Sequence, residues 1–384
     1  MKQKLLKIFS INMISALINF LSTILILRLF GLKIFGQFAI LSSYIGIFTL
    51  IYIIIPSNYA IFKIQDDNKF KETLFFNYIF SSFLIILLIY VSSLFIEYQA
   101  FIELIILFSI LTGIMSYFDT YLQAFNKLDK YFLILFISYL IKVTLLIILY
   151  VLDYSPTLNK LILINIISIS ISIVFGIKYI ELFNIKVKTI KDYFLFLKKN
   201  FHTLKSYYVN TILKRLKDNA LILIFSNITS NEIIGLYSLF TKIGMFVLGQ
   251  LRVIEAFFMN RNNLNNIASI ANKKILIGFI SQILILVVGL IYLKLSTNKF
   301  MFFELFIYSF LSYPYIFFIL MRNKILSLYK IESLNEMYIV YFVILIIFYI
   351  IAKLFLIKGL MFLLIFVLFS EIINVYVLNK RNKL

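Results

Sequence analysis

Eleven of the ionisable side chains that sit inside otherwise apolar stretches are candidates for chemistry. Lys214, Arg215, Lys217 and Asp218 fall together in one such run, and Lys142 stands alone in another with no acid near it in the chain. Lys242, Arg252 and Glu255 share a third run; Arg28, Asp119 and Glu371 each occupy one more. A charge in hydrocarbon is costly, so each is a functional candidate by default. Seven basic groups face four acidic ones, a net balance of about +3. That excess suits an anion such as a phosphate, which Arg binds through two parallel hydrogen bonds and Lys as a point charge. Arg28, Lys142, Lys214, Arg215, Lys242 and Arg252 are therefore the expected substrate-binding residues. Asp119, Asp218, Glu255 and Glu371 are expected to serve as counterions or as ion-coupling sites. Lys214 and Asp218 are four apart and could instead pair on one helix face, while Arg28, Lys217 and Arg252 could reach a membrane interface with their long side chains.

Bond-making chemistry is poorly provided for. The chain has no cysteine, which removes disulfides, thiolate metal ligands and thiol nucleophiles. Its single histidine, His202, lies in a polar connection between apolar runs. No phosphate-binding loop of the form G-x-x-x-x-G-K-[ST] occurs, so nucleotide hydrolysis is not the expected drive. No enzyme activity, metal or cofactor is expected.

The elements that carry these charges follow from composition. Of 384 residues, 62% are hydrophobic, against about 45–50% in soluble domains, and mean hydropathy is +1.01. A helix needs about 20 apolar residues to cross the hydrocarbon core. Runs of that kind lie at 8–28, 38–55, 74–96, 101–122, 131–152, 159–180, 207–227, 234–257, 275–295, 301–321, 338–356 and 359–378. The first is read as a helix and not a signal peptide, because it is too long and has no small-residue cleavage site. The reading is all-α: about twelve transmembrane helices in two six-helix bundles, 1–180 and 207–384, with a basic cytoplasmic linker at 181–206. The linker, rich in Lys and aromatic residues, could also lie on anionic lipid as an amphipathic segment. Pro314 should bend its helix by removing a backbone hydrogen bond.

Orientation follows from the basic residues of the connections. With the N-terminus in the cytoplasm, 24 Lys and Arg fall in inner segments and 7 in outer ones. Both termini are then cytoplasmic, and the net charge of +20 belongs to the inner membrane surface, with no nucleic acid partner.

A repeat underlies the six-plus-six count. At an offset of 199 residues Ile34 matches Ile233, Gly36 matches Gly235, Phe38 matches Tyr237, Ile40 matches Leu239 and Ser42 matches Thr241. Gly36 and Gly235 read as turn glycines of two matching helical hairpins. Repeats that span six helices are parallel, an arrangement transporters use with the substrate site between the halves.

The stretch L27-R-L-F-G-L-K-I-F-G-Q-F-A-I-L-S-S-Y resembles the opening hairpin of polysaccharide flippases, and K217-D-N-A-L-I-L-I-F-S with I234-G-L-Y-S-L-F-T-K-I resembles the helix 7–8 region of the same family. That family belongs to the multidrug/oligosaccharidyl-lipid/polysaccharide exporter superfamily. The resemblance implies two six-helix bundles around a central cavity in a bacterial inner membrane. It also implies a flippase that moves undecaprenyl-pyrophosphate-linked oligosaccharide by alternating access. Membrane lipid, polysaccharide polymerase and chain-length proteins would be its partners. The alternatives are an ion-coupled multidrug or small-molecule exporter of the same fold, and a polysaccharide polymerase-type membrane enzyme. Outer loops of only about 4–10 residues by this span reading argue against the enzyme, since such chemistry wants a sizeable outer loop or an in-span His or Asp.

Overall fold

A computed structural model describes residues 2–67, 69–92, 101–153, 155–180, 190–258, 274–297, 301–318 and 331–382. Among the described residues there is no β-strand. In chain order the helices are α1 (Lys2–Phe48), α2 (Ser57–Asp66), α3 (Phe70–Ser92), α4 (Ile102–Ala124), α5 (Leu128–Val151) and α6 (Leu158–Ile177). They continue with α7 (Ile190–Ser226), α8 (Asn231–Phe258), α9 (Lys274–Thr297), α10 (Phe302–Ser309), α11 (Ile331–Leu354) and α12 (Leu360–Asn382). A 3-10 segment, Thr49–Ile54, follows α1.

Long Ile, Leu and Phe runs form helices because only a helix satisfies all backbone groups within one apolar segment. Their polar residues follow the same logic. Ser15, Thr23, Thr112, Thr144, Thr211 and Thr241 each return a hydroxyl to the carbonyl four residues back, at 2.7–3.0 Å. They need no partner helix. On α11, Val343, Ile346, Ile347 and Ile350 form one stripe and are each about half exposed, the spacing of a face turned to lipid.

Among the described residues nine helices are long and apolar enough to cross a membrane. The first, Leu6–Asp66, takes in two of the expected runs. Two expected spans fall short of that standard. The run 207–227 lies inside α7, where Lys214, Arg215, Lys217 and Asp218 dilute the apolar character. The run at 301–321 is the shorter Phe302–Phe318, interrupted at residues 310–311. Pro314 explains the interruption. It has no N–H to return to Phe310, whose carbonyl accepts instead from Tyr313 N at 3.2 Å. The Phe310 and Leu311 N–H groups go to carbonyls three residues back, at 3.2 and 3.0 Å.

The turn glycines are a correction. The break in α1 falls at Gly31, with φ 74° and ψ 171°, a conformation open essentially to glycine alone. Gly36 and Gly235 are helical, and their role is close approach. A Cβ on Gly36 would run into the Asn231 carbonyl oxygen, and one on Gly235 into the Leu32 carbonyl oxygen. Residues 32 and 231 differ by the same 199 positions as 36 and 235. The contact is therefore reciprocal, as in a pair related by a local two-fold axis. The matched glycines thus meet one another, and they serve a helix crossing and not a turn.

The structure adds detail to the linker. From Ile190 it is helix, continuous with the segment expected as the seventh span; residues 181–189 lie outside the described residues. By packing, the chain divides into two compact units, Met1–Ile40 with Ala220–Leu384, and Leu41–Asn219. The division at 181–206 rests on the sequence repeat and not on packing.

Candidate functional site

The unit of residues 41–219 holds a polar seam among the 3-10 segment, α3, α4 and α7. It begins with loose carbonyls. A 3-10 turn leaves acceptors that α3 must satisfy. Asn77 Nδ2 donates to the Tyr52 carbonyl at 3.0 Å and Ser81 Oγ to the Ile51 carbonyl at 3.1 Å. The other end of the Asn77 amide accepts from the Tyr193 hydroxyl on α7, at 2.7 Å. Asn77 and Tyr193 are both fully buried, and burial pushes the Tyr193 phenol well above its ordinary range, so it stays a neutral donor.

Tyrosines continue the seam. Tyr52 and Ser82 share a hydrogen bond of 2.8 Å. The Tyr52 ring stacks on Tyr78 with centroids 5.3 Å apart, and Tyr78 meets Tyr117 edge-on at 5.2 Å. Gly113 makes room: a Cβ there would enter the Tyr52 ring. The Tyr78 hydroxyl donates to Ser116 Oγ at 3.4 Å. The Arg215 guanidinium of α7 and the Asp119 carboxylate of α4 both lie within electrostatic reach of Tyr78. Tyr117 is buried, and its hydroxyl has no hydrogen-bond partner among the described residues. One acid, one base and a run of phenols thus converge inside a helical unit, a constellation able to hold a cation or proton at Asp119 or an anion at Arg215.

The expected site residues distribute as follows. Lys142, Lys214, Arg215, Asp119 and Asp218 belong to this unit; all are half-buried except Asp218, which is exposed. The structure brings Arg215 and Asp119 together around Tyr78. In the other unit Arg28 is exposed and its Nε donates to the Leu295 carbonyl at 2.7 Å, tying α1 to the last turn of α9. Lys242 is exposed on α8, and Glu371 is half-buried on α12. Arg252 and Glu255 fall in the last turns of α8, where their side chains lie outside the described residues. His202 is exposed.

Sequence reading missed Tyr52, Asn77, Tyr78, Ser116 and Tyr117, since it weighed only the charged side chains of the apolar runs as site candidates. A signal was available: N77-Y-x-x-S-S and S116-Y-x-D-T-Y concentrate polar groups within two apolar runs. Asn374 was missed too. It is fully buried on α12, one turn beyond Glu371, and neither amide atom has a hydrogen-bond partner among the described residues.

No family model matches the sequence, and no curated protein matches it. Solved structures do match over nearly the whole length. One is a multidrug resistance MATE family transporter of the MOP superfamily in an inward-facing conformation, 12% identical, covering 97% of this chain and 96% of that one with a TM-score of 0.68. A second is the Vibrio cholerae MATE transporter VcmN, 11% identical, covering 99% and 97% with a TM-score of 0.67. A third is a MOP superfamily transporter from Pyrococcus furiosus, 12% identical, covering 100% and 95% with a TM-score of 0.59; its binding pocket is described as of reverse polarity, suggesting a different function. At these identities the likeness is one of fold, and it does not single out the polysaccharide flippases: the chain has the all-helical fold of MATE-type transporters of the MOP superfamily.

Proposed function

We propose that this chain is a membrane transporter that exports a small molecule by alternating access, driven by an ion gradient. The observation that carries the reading is the end-to-end match of its fold to MATE transporters, 98% of this chain in one case at a TM-score of 0.68. The polar seam supports it. Asp119 beside Tyr78 is an acid that could take up and release the coupling ion, and Arg215 is the charge that would bias it. The Lys and Arg distribution supports a cytoplasmic-membrane protein with both termini inside. The test is export of a fluorescent cationic dye from bacteria stripped of their own exporters. Expression should lower dye accumulation several-fold, and a protonophore or a sodium ionophore should abolish the difference. Equal accumulation with and without the chain would defeat the proposal.

A second reading keeps the anionic lipid-linked substrate of the sequence resemblance. It is favoured by Lys214, Arg215 and Lys217, three half-buried bases within one turn of α7, and the reversed pocket polarity of the Pyrococcus furiosus protein gives a precedent on this fold. Deleting the gene would then cause pyrophosphate-linked oligosaccharide to accumulate on the inner leaflet, with no change in dye export.

A further inference from the structure

The N-terminal part of α7 serves no evident purpose in crossing a membrane. The helix has 37 residues, about 55 Å of helix at 1.5 Å per residue, against a hydrocarbon core of about 30 Å. The surplus lies at 190–205, ahead of the charged segment that carries Arg215.

This part is firmly held on one face. Tyr193 and Leu204 are buried. Tyr193 bonds Asn77, the Phe196 ring packs on Phe70 at 5.2 Å, and Asn200 accepts from the Tyr59 hydroxyl at 3.5 Å. The opposite side is open and has two stripes. Ile190, Phe194 and Phe201 are 60%, 50% and 65% exposed. Residues four and seven apart share a helix face, so these three make one apolar row. Lys191, Lys198 and Lys205 are all exposed and spaced by seven, so they make a second row beside the first, with His202 along it. The single acid among residues 190–205 is Asp192.

We propose that residues 190–205 form a binding surface for anionic phospholipid. The apolar row enters the acyl boundary while the lysine row meets headgroup phosphates, an arrangement that fits neither water nor neutral lipid alone. The lysines supply the charge complementarity, each favouring an anionic leaflet over a neutral one. The occupant is the membrane's own lipid and not a second protein, because a basic row flanked by apolar side chains, Ile190, Phe194 and Phe201 on one side and the 55% exposed Leu195 on the other, matches the boundary between acyl chains and headgroups. Since α7 continues without a break to Arg215, lipid held here also anchors the helix that brings this base to the polar seam. The inference is independent of what the chain transports.

The chain has no tryptophan, so Phe201→Trp is a clean reporter in the full-length protein. The variant is reconstituted in vesicles of phosphatidylcholine with phosphatidylglycerol, with bromine placed near the top of the acyl chains of one lipid or the other. Brominated phosphatidylglycerol should quench Trp more strongly than brominated phosphatidylcholine at equal mole fraction. Adding Lys191→Gln, Lys198→Gln and Lys205→Gln should erase that preference while quenching by phosphatidylcholine persists, which shows that the protein is still folded and inserted. Equal quenching by both lipids before the lysines are replaced would overturn the proposal. So would absence of quenching by either, the result expected if water or a protein covers this face.

Discussion

Tyr193 and Asn77 set the energetic stakes at single residues. Removing the hydroxyl in Tyr193→Phe leaves the buried Asn77 Oδ1 without its donor, a loss of about 1–3 kcal/mol. Because burial raises the Tyr193 pKa, the folded state holds the proton more tightly than the unfolded chain. Its contribution is complete below the usual phenol range and fades only above it. The difference in thermal stability between Tyr193→Phe and the parent should therefore be flat from about pH 6 to pH 9. Glycines give a sharper contrast. Gly36→Ala drives a Cβ into a backbone carbonyl that no rotamer change can move, whereas Gly249→Ala, on α8, meets nothing within 4 Å among the described residues. The first should sharply lower the yield of monodisperse protein; the second should leave it equal or slightly better. Asn374 separates structure from use. Asn374→Leu removes two orphaned polar atoms and should keep or raise stability; loss of transport in that stable variant would assign the amide to function.

At the scale of the element, hydrophobic runs and proline were readable, and pairing was not. Each apolar run is helical over most of its described length, because in lipid no other structure satisfies an isolated segment's backbone. Pro314 interrupts its helix one turn upstream, as its missing N–H requires. Gly31 was passed over for Gly36, because a helical glycine and a turn glycine look alike in one dimension; φ 74° decided it. Gly31→Ala should cost on the order of 1–3 kcal/mol through backbone strain alone, since the space around it is open. A melting series with Gly31→Ala beside Gly249→Ala would expose that difference. The linker's helical form was only half legible. Its Lys content reads as a cytoplasmic linker or an amphipathic segment, and Tyr193, Leu204 and Tyr207 keep one buried face in helical register.

For the whole molecule the decisive variable is which charges share a neighbourhood. If the proposed transport holds, Asp119→Asn should abolish ion-coupled export while leaving the protein inserted, and Arg215→Gln should alter its pH dependence, since both charges lie within electrostatic reach of Tyr78. Vesicle flux measured across a pH series checks both; unchanged profiles would remove the seam from the mechanism. The amino-acid sequence by itself determined an all-helical, multi-pass chain, a Lys and Arg bias between its connections and a 199-residue match of glycine-bearing segments. All three are written in local hydrophobicity, in charge between runs and in matched residues. Only the tertiary structure decided that Gly36 meets Gly235, that α7 runs unbroken from Ile190, and that Arg215 and Asp119, ninety-six positions apart, act on the same tyrosine. Long-range pairing between helices of nearly uniform Ile, Leu and Phe leaves no periodic trace, because such side chains pack almost equally well against lipid or against one another.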